Sequence, residues 1–214
     1  MPLLKILATG SGNIGIWKIS EPVSVLRDFA GESLCSGLCD VKSQKRSAER
    51  YAVRALLSEM WQKLGMAGLP RRIIYNAEGR PSLEDGTPVS ISHTDGYAVL
   101  YIGTDNQVGV DIEIRSDRAL GLAGYFMGEQ ELALQKHNAD TAVISWSARE
   151  SVYKIAGRAA ADFKDSLRIL PFVPEAAGTL SLLCGNGTDS TTFSVIYQIW
   201  PEFILTYTEL PSSR

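Results

Sequence analysis

Gly109-Val110-Asp111-Ile112-Glu113 is the stretch whose reading decides the fold. Apolar and acidic residues alternate, and on a strand successive side chains point to opposite faces. Asp111 and Glu113 therefore share one face, and Val110 and Ile112 the other. Two adjacent carboxylates repel, so a positive group belongs between them. A hard divalent cation suits, because Mg²⁺ takes oxygen ligands and is often held by one or two carboxylates plus substrate phosphates. An ordinary half-exposed strand with two solvent-side acids fits the alternation as well. Gly109 predicts a close approach by another stretch of backbone.

Downstream, Trp146-Ser147-Ala148-Arg149-Glu150-Ser151-Val152-Tyr153-Lys154 has the helical period instead. The spacing predicts a helix over 141–157, with Val143, Trp146, Ser147, Val152 and Ile155 inward. Glu150 and Lys154 are four apart on one face. They suit a metal–phosphate site, or a plain surface ion pair worth about 0.3–0.5 kcal/mol. Trp146 reads as core, and Arg149 as a surface residue. Between the two stretches, residues 119–137 predict one or two helices carrying Glu129 and Glu131. Beyond them, 167–173, 179–184, 191–200 and 202–209 read as strands, the last two flanking Pro201.

Upstream, residues 3–8 and 14–19 predict strands joined by a turn at 10–13. Gly10, Gly12 and Gly15 spell a dinucleotide-binding pattern, but that motif needs a helix immediately after it. The alternating Ile14-Gly15-Ile16-Trp17-Lys18-Ile19 is a strand, so the pattern is rejected. Residues 31–41 read as loop. A helix is expected over 43–64, where Ala52, Leu56, Met60 and Leu64 recur every four residues. Lys45, Arg46, Arg50 and Arg54 crowd its first half, and Arg46, Arg50 and Arg54 form a stripe. The stripe is either a solvated face or a phosphate-capturing one, for which guanidinium is well suited. Strands at 72–75, 89–93 and 97–103 follow, with turns at 76–81 and 104–107. His93 ends its strand in a polar cluster, where a hydrogen-bonding role at the strand end is the plain alternative.

The chain has 214 residues, 45% hydrophobic and 21% charged, as in soluble globular proteins. Its net charge of −3 argues against a broad nucleic-acid surface. No apolar run reaches the roughly 20 residues of a membrane span, and the N-terminus does not read as a signal peptide. Three cysteines make no disulfide framework, and Cys35 and Cys39 lack a zinc-site partner. Reduced thiols and a cytoplasmic location are the expectation.

Four motifs occur in order: Gly79-Arg80-Pro81-x-Leu83, Ser90-Ile91-Ser92-His93, Gly109-Val110-Asp111-Ile112-Glu113 and Trp146-Ser147-x-Arg149-Glu150-x-x-x-Lys154. Each alone is unspecific, but the series resembles the 4′-phosphopantetheinyl transferase superfamily, in its long single-chain type. The resemblance implies an α+β fold of two similar subdomains, 1–105 and 106–214. Each would be a small, mainly antiparallel sheet with a long helix, the two related by a pseudo-two-fold with the ligand in the cleft between them. It implies transfer of the 4′-phosphopantetheine arm of coenzyme A to a serine of an apo acyl or peptidyl carrier protein, with release of adenosine 3′,5′-bisphosphate. Mg²⁺, or Mn²⁺ in its place, is the implied cofactor, and the protein would act as a monomer.

Carried over by position, Asp111, Glu113 and Glu150 match the metal-binding acids. Glu150, with Asp111 and Lys154, would be catalytic, and Lys154 would contact phosphate. His93, Ser92, Arg46, Arg54 and Arg80 match coenzyme A contacts, Arg80 beside the adenine. The carrier would dock around 119–137. The family pattern has a phosphate-contacting lysine where this chain has Arg149, which keeps the charge but not the geometry, and the N-terminal basic region is compact; together these make a binding-only homologue the alternative.

Overall fold

The computed structural model describes residues 3–38, 42–104, 107–134, 138–160, 162–185 and 190–210. The chain divides into two compact units, Met1–Asn106 and Gln107–Arg214. The predicted turn at 104–107 contains Asp105 and Asn106, which lie outside the described residues, as does Cys39.

In the N-terminal unit, β1 (Leu3–Thr9) and β2 (Gly12–Lys18) form a hairpin. They join β5 (Val89–Thr94) and β6 (Tyr97–Gly103) in a four-stranded antiparallel sheet of order β1-β2-β6-β5. Gly12 and Gly15 thus lie in a strand, and the dinucleotide-binding helix is not there. All of β6 is buried, because the long helix α3 (Gln44–Lys63) packs on β2 and β6. Ser43 caps α3, its hydroxyl accepting from the Arg46 N–H at 3.3 Å. Its inner residues Leu56, Leu57 and Met60 are fully buried. Gly15 makes that packing possible, since a β-carbon there would overlap Met60 Sδ and Leu56 Cδ1.

Before α3 the chain forms α1 (Val23–Ala30), a stretch with no sequence expectation, and the four-residue α2 (Glu32–Cys35), which lies in the expected loop 31–41. α1 starts directly after Pro22 and buries Leu26 and Ala30; an apolar face of two residues gives little periodicity to read. A small hairpin, β3 (Ile73–Tyr75) with β4 (Pro81–Leu83), follows α3. Its turn is closed by Asn76, whose Oδ1 accepts from the N–H groups of Glu78 and Arg80.

The C-terminal unit is built on β7 (Val108–Ile114), β8 (Leu167–Ile169), β9 (Ala177–Cys184), β10 (Thr191–Ile199) and β11 (Phe203–Glu209). They form an antiparallel sheet of order β7-β11-β10-β9-β8, covered by α7 (Ala139–Ala156). Asn138 caps α7, its Oδ1 accepting from Thr141 N–H at 2.7 Å. Ile144, Ala148 and Val152 pack against Leu182, Val195 and Ile204. The segment expected as one or two helices is three short ones, α4 (Arg118–Gly121), α5 (Ala123–Phe126) and α6 (Glu129–Leu134). Gly121, Gly124 and Gly128 punctuate it, which keeps any one helix from propagating. Strand β8 is shorter than expected because Pro171 follows it closely.

Each unit is thus an antiparallel sheet with one long helix, the α+β class read from the sequence. Among the described residues no helix is long and apolar enough to cross a membrane. Cys35 and Cys184 are buried free thiols.

The close approach predicted at Gly109 is present: a β-carbon there would overlap the Ser151 carbonyl oxygen of α7 and press on Ile155 Cγ1. The obstacle is helix backbone, which cannot rotate away. Gly109→Ala is therefore expected to cost at least the 1–3 kcal/mol typical of overpacking, about a full core substitution. A lowered urea midpoint with unchanged slope would register it.

Candidate active site

Strand β7 turns Asp111 and Glu113 towards α7, which presents Trp146, Ser147, Glu150 and Lys154 in return. Asp111 is only 3% exposed. Its Oδ1 accepts from Lys154 Nζ at 2.9 Å, and its Oδ2 accepts from Ser147 Oγ at 2.7 Å. Lys154 Nζ also donates to the Val110 carbonyl at 2.7 Å. The ion pair that forms is therefore Lys154–Asp111 across the helix–strand interface, rather than a Glu150–Lys154 pair along the helix. Glu113 is half-buried and accepts from Trp146 Nε1 at 3.1 Å. Trp146 is half-buried too, packed on Phe126 and Phe163.

The electrostatics tie the three acids together. Burial, then the Asp111 charge, push Glu113 up to about 7, against the Trp146 hydrogen bond and Lys154. Burial and the Asp111 charge also raise Glu150, with Lys154 opposing. One lysine serves three carboxylates, so the cluster lacks positive charge. Among the described residues no group of three or more His, Cys, Asp or Glu side chains forms a ready metal cage. Mg²⁺ does not require one, since it keeps waters and takes substrate phosphates alongside one or two carboxylates. An all-oxygen donor set with two acids held above their usual range fits such an ion.

A pH dependence follows. An acid whose folded-state pKa lies above its unfolded value keeps its proton longer in the native state. The stability it contributes is present below about 4.5 and is lost as pH rises through about 7. Without divalent cation, Tm is expected to fall across that window. Glu113→Gln should flatten the fall, and added Mg²⁺ should reverse it by binding the deprotonated acids. Thermal melts from pH 4 to 8, with chelator or with Mg²⁺, measure this.

Arg149 is a correction. It is fully buried, not on the surface, and offers no phosphate contact. Its Nη2 donates to both oxygens of Glu131, at 2.7 and 2.5 Å. Nη1 donates to Ser145 O at 3.0 Å and Nε to Phe163 O at 3.3 Å, and the guanidinium lies over the Phe126 ring. Glu131 in turn accepts from the N–H groups of Gly128 and Ile169. One residue before Glu150, the helix thus faces the core.

In the N-terminal unit the structure brings part of the predicted set together. His93, half-exposed at the end of β5, sits 3.4 Å from a Glu49 oxygen on α3. Lys45 Nζ donates to Asp95 at 2.9 Å near the same strand end. Ser92 is half-buried on β5, and Arg46 is exposed in the first turn of α3. The arginine stripe grades inward: Arg50 is half-buried and Arg54 only 5% exposed, its Nη1 donating to Arg50 O. The stripe is thus not a uniformly solvated face. Arg80 is half-buried on the β3–β4 turn.

The sequence placed Ser147 inward without a role and offered none for Ser151 or Thr206; the three hydroxyls meet under Asp111. The available signal was three hydroxyls at otherwise apolar inward positions. Sequence reading also missed a pocket of about 490 Å³ beside Glu113, lined by Arg118, Leu122, Tyr125, Phe126 and Trp146.

A family model described as the 4′-phosphopantetheinyl transferase superfamily matches residues 107–208. A second, the 4′-phosphopantetheinyl transferase N-terminal domain, matches residues 39–103. A search of the curated proteins found no match. The first match spans the strand and helix that carry the acids, and the second spans α3 and His93. With both domains in one chain, this protein belongs to the 4′-phosphopantetheinyl transferase superfamily, in its long single-chain type.

Proposed function

We propose that this protein transfers the 4′-phosphopantetheine arm of coenzyme A to a serine hydroxyl of an apo acyl or peptidyl carrier protein, with Mg²⁺ as cofactor. The observation that carries the reading is the cluster of Asp111, Glu113, Glu150 and Lys154 between β7 and α7.

The serine oxygen attacks the phosphorus that bears the pantetheine. The bond from that phosphorus to the bridging oxygen breaks, and adenosine 3′,5′-bisphosphate leaves. Such a displacement asks the protein for positioning and charge stabilisation more than covalent work. Glu150, directly or through a bound water, takes the serine proton as general base. Lys154, anchored by Asp111 and the Val110 carbonyl, places a cation beside the leaving phosphate. Asp111, Glu113 and Glu150 would hold the metal, which supplies charge neutralisation at the pyrophosphate oxygens when bound.

Arg46, Ser92 and His93 are assigned to coenzyme A phosphates and Arg80 to the adenine border. Arg54, being buried, is the lesser contact. A binding-only alternative rested on Arg149 and on the compact basic region of α3; the place of Arg149 in the core removes the first of these motives.

The pocket beside Glu113 is the assigned carrier-docking surface. Tyr125 is 82% exposed at its mouth, and Arg118 is suited to an acidic partner. Tyr125→Ala should raise the KM for carrier about tenfold, as loss of a docking anchor does, with the KM for coenzyme A unchanged. Equal KM values for carrier would reject the pocket. For the reaction itself, chromatography should show bisphosphate release only when apo carrier is present. Coenzyme A cleavage without carrier would instead indicate a phosphohydrolase.

A further inference from the structure

A column of hydroxyls crosses the interface between α7 and the sheet. Ser147, Ser151 and Thr206 are each fully buried among residues such as Ala148, Val152 and Ile204. Burying a hydroxyl is unfavourable unless it is hydrogen-bonded, and an alanine or valine would pack there without that cost. Thr206 is the register partner of Asp111 in the β7–β11 pair, so the two side chains leave the sheet side by side. Ser147 and Ser151, four apart on α7, come down on them from above.

The distances run in series. Ser151 Oγ lies 2.5 Å from Thr206 Oγ1, and Thr206 Oγ1 lies 2.9 Å from Ser147 Oγ. Ser147 Oγ lies 2.7 Å from Asp111 Oδ2. The end of the series sets its direction. A carboxylate paired with Lys154 can only accept, so Ser147 donates to it. Ser147 then accepts from Thr206, which leaves Thr206 Oγ1 to accept from Ser151, whose hydroxyl also lies 3.0 Å from the Ser147 carbonyl and 3.2 Å from the Thr206 carbonyl. We propose that Ser151, Thr206 and Ser147 form a directed hydroxyl chain that positions Asp111, holding Oδ2 so that Lys154 takes Oδ1 alone. Without the chain the carboxylate is free to turn both oxygens towards the ammonium, and the metal loses a properly aimed donor. These are positioning residues, and the inference rests on the transferase reading.

The test measures Mn²⁺ affinity of the coenzyme-free protein by electron paramagnetic resonance, alongside kcat for transfer. Ser147→Ala should weaken Mn²⁺ binding and kcat by about 10–100-fold, the range for groups that orient metal ligands. Thr206→Val, nearly the same shape and checked for folding by its thermal melt, should give the lower end of that range. Thr206→Ser, which keeps the hydroxyl, should restore both quantities. The double variant should be no worse than Ser147→Ala alone, because the chain acts through Ser147. A Thr206→Val protein with wild-type Mn²⁺ affinity and kcat would overturn the chain, as would a wild-type protein that takes no Mn²⁺. Wild-type protein that binds Mn²⁺ but leaves every carrier unmodified would reject the transferase reading instead, and the Mn²⁺ titrations would still judge the chain.

Discussion

Glu150→Gln is expected to lower transfer by about 10²–10⁴-fold, the contribution of a positioned general base, while the protein stays folded. Glutamine keeps the shape and the hydrogen-bonding outline but cannot take the serine proton. Stability should move the other way. Burial and the Asp111 charge already disfavour the Glu150 anion. An acid raised in this way subtracts from native stability once pH exceeds its unfolded value, and the neutral amide removes that penalty. Tm at neutral pH should therefore hold or rise without metal. Asp111→Ala should abolish activity equally but lower Tm, because it strips Lys154 and Ser147 of their partner. Initial rates and melts on the two variants separate these cases. Loss of both rate and fold in Glu150→Gln would mean the residue is structural.

Arg149→Met carries the largest expected effect on stability. It leaves Glu131, 5% exposed, as a buried carboxylate without its cation. Breaking one side of a buried ion pair costs about 3–5 kcal/mol. The guanidinium also ties down Ser145 O, Phe163 O and Leu167 O, so the segment from 163 to 169 loses its anchor to α7. Replacing both charges together, as Arg149→Met with Glu131→Leu, should recover much of the loss, since paired burial is itself costly. Arg149→Lys should fall between, because an ammonium cannot span the same fan of acceptors. Urea melts of the four proteins test this. An Arg149→Met midpoint equal to wild type would show that the pair adds nothing.

The long elements were legible because their periods are long enough to read. The four-residue repeat announced α3, and the alternation 109–113 announced β7. Gly109 announced a close backbone approach, and the approaching backbone is that of α7. Among the short helices α1, which buries two residues, was not legible; 119–137 was read as helical, but its division into α4 to α6, cut by glycines, was not. Partners across the fold were hardest. Lys154 is four residues from Glu150, yet it pairs with Asp111, forty-three residues away, because the helix lies over the strand. Arg149 sits among site residues in sequence and faces the core in space. One helical step is about 100°, enough to move a side chain from one side of a helix to another. The residues of the β7–α7 cluster could be picked out locally, but their pairings belong to the packing.

The most direct test incubates the protein with coenzyme A, Mg²⁺ and a panel of apo carrier proteins, and weighs each carrier by mass spectrometry. The account predicts one added phosphopantetheine arm on a carrier serine, lost with chelator and lost in Glu150→Gln. Coenzyme A bound by the protein, with every carrier left at its apo mass, would contradict it.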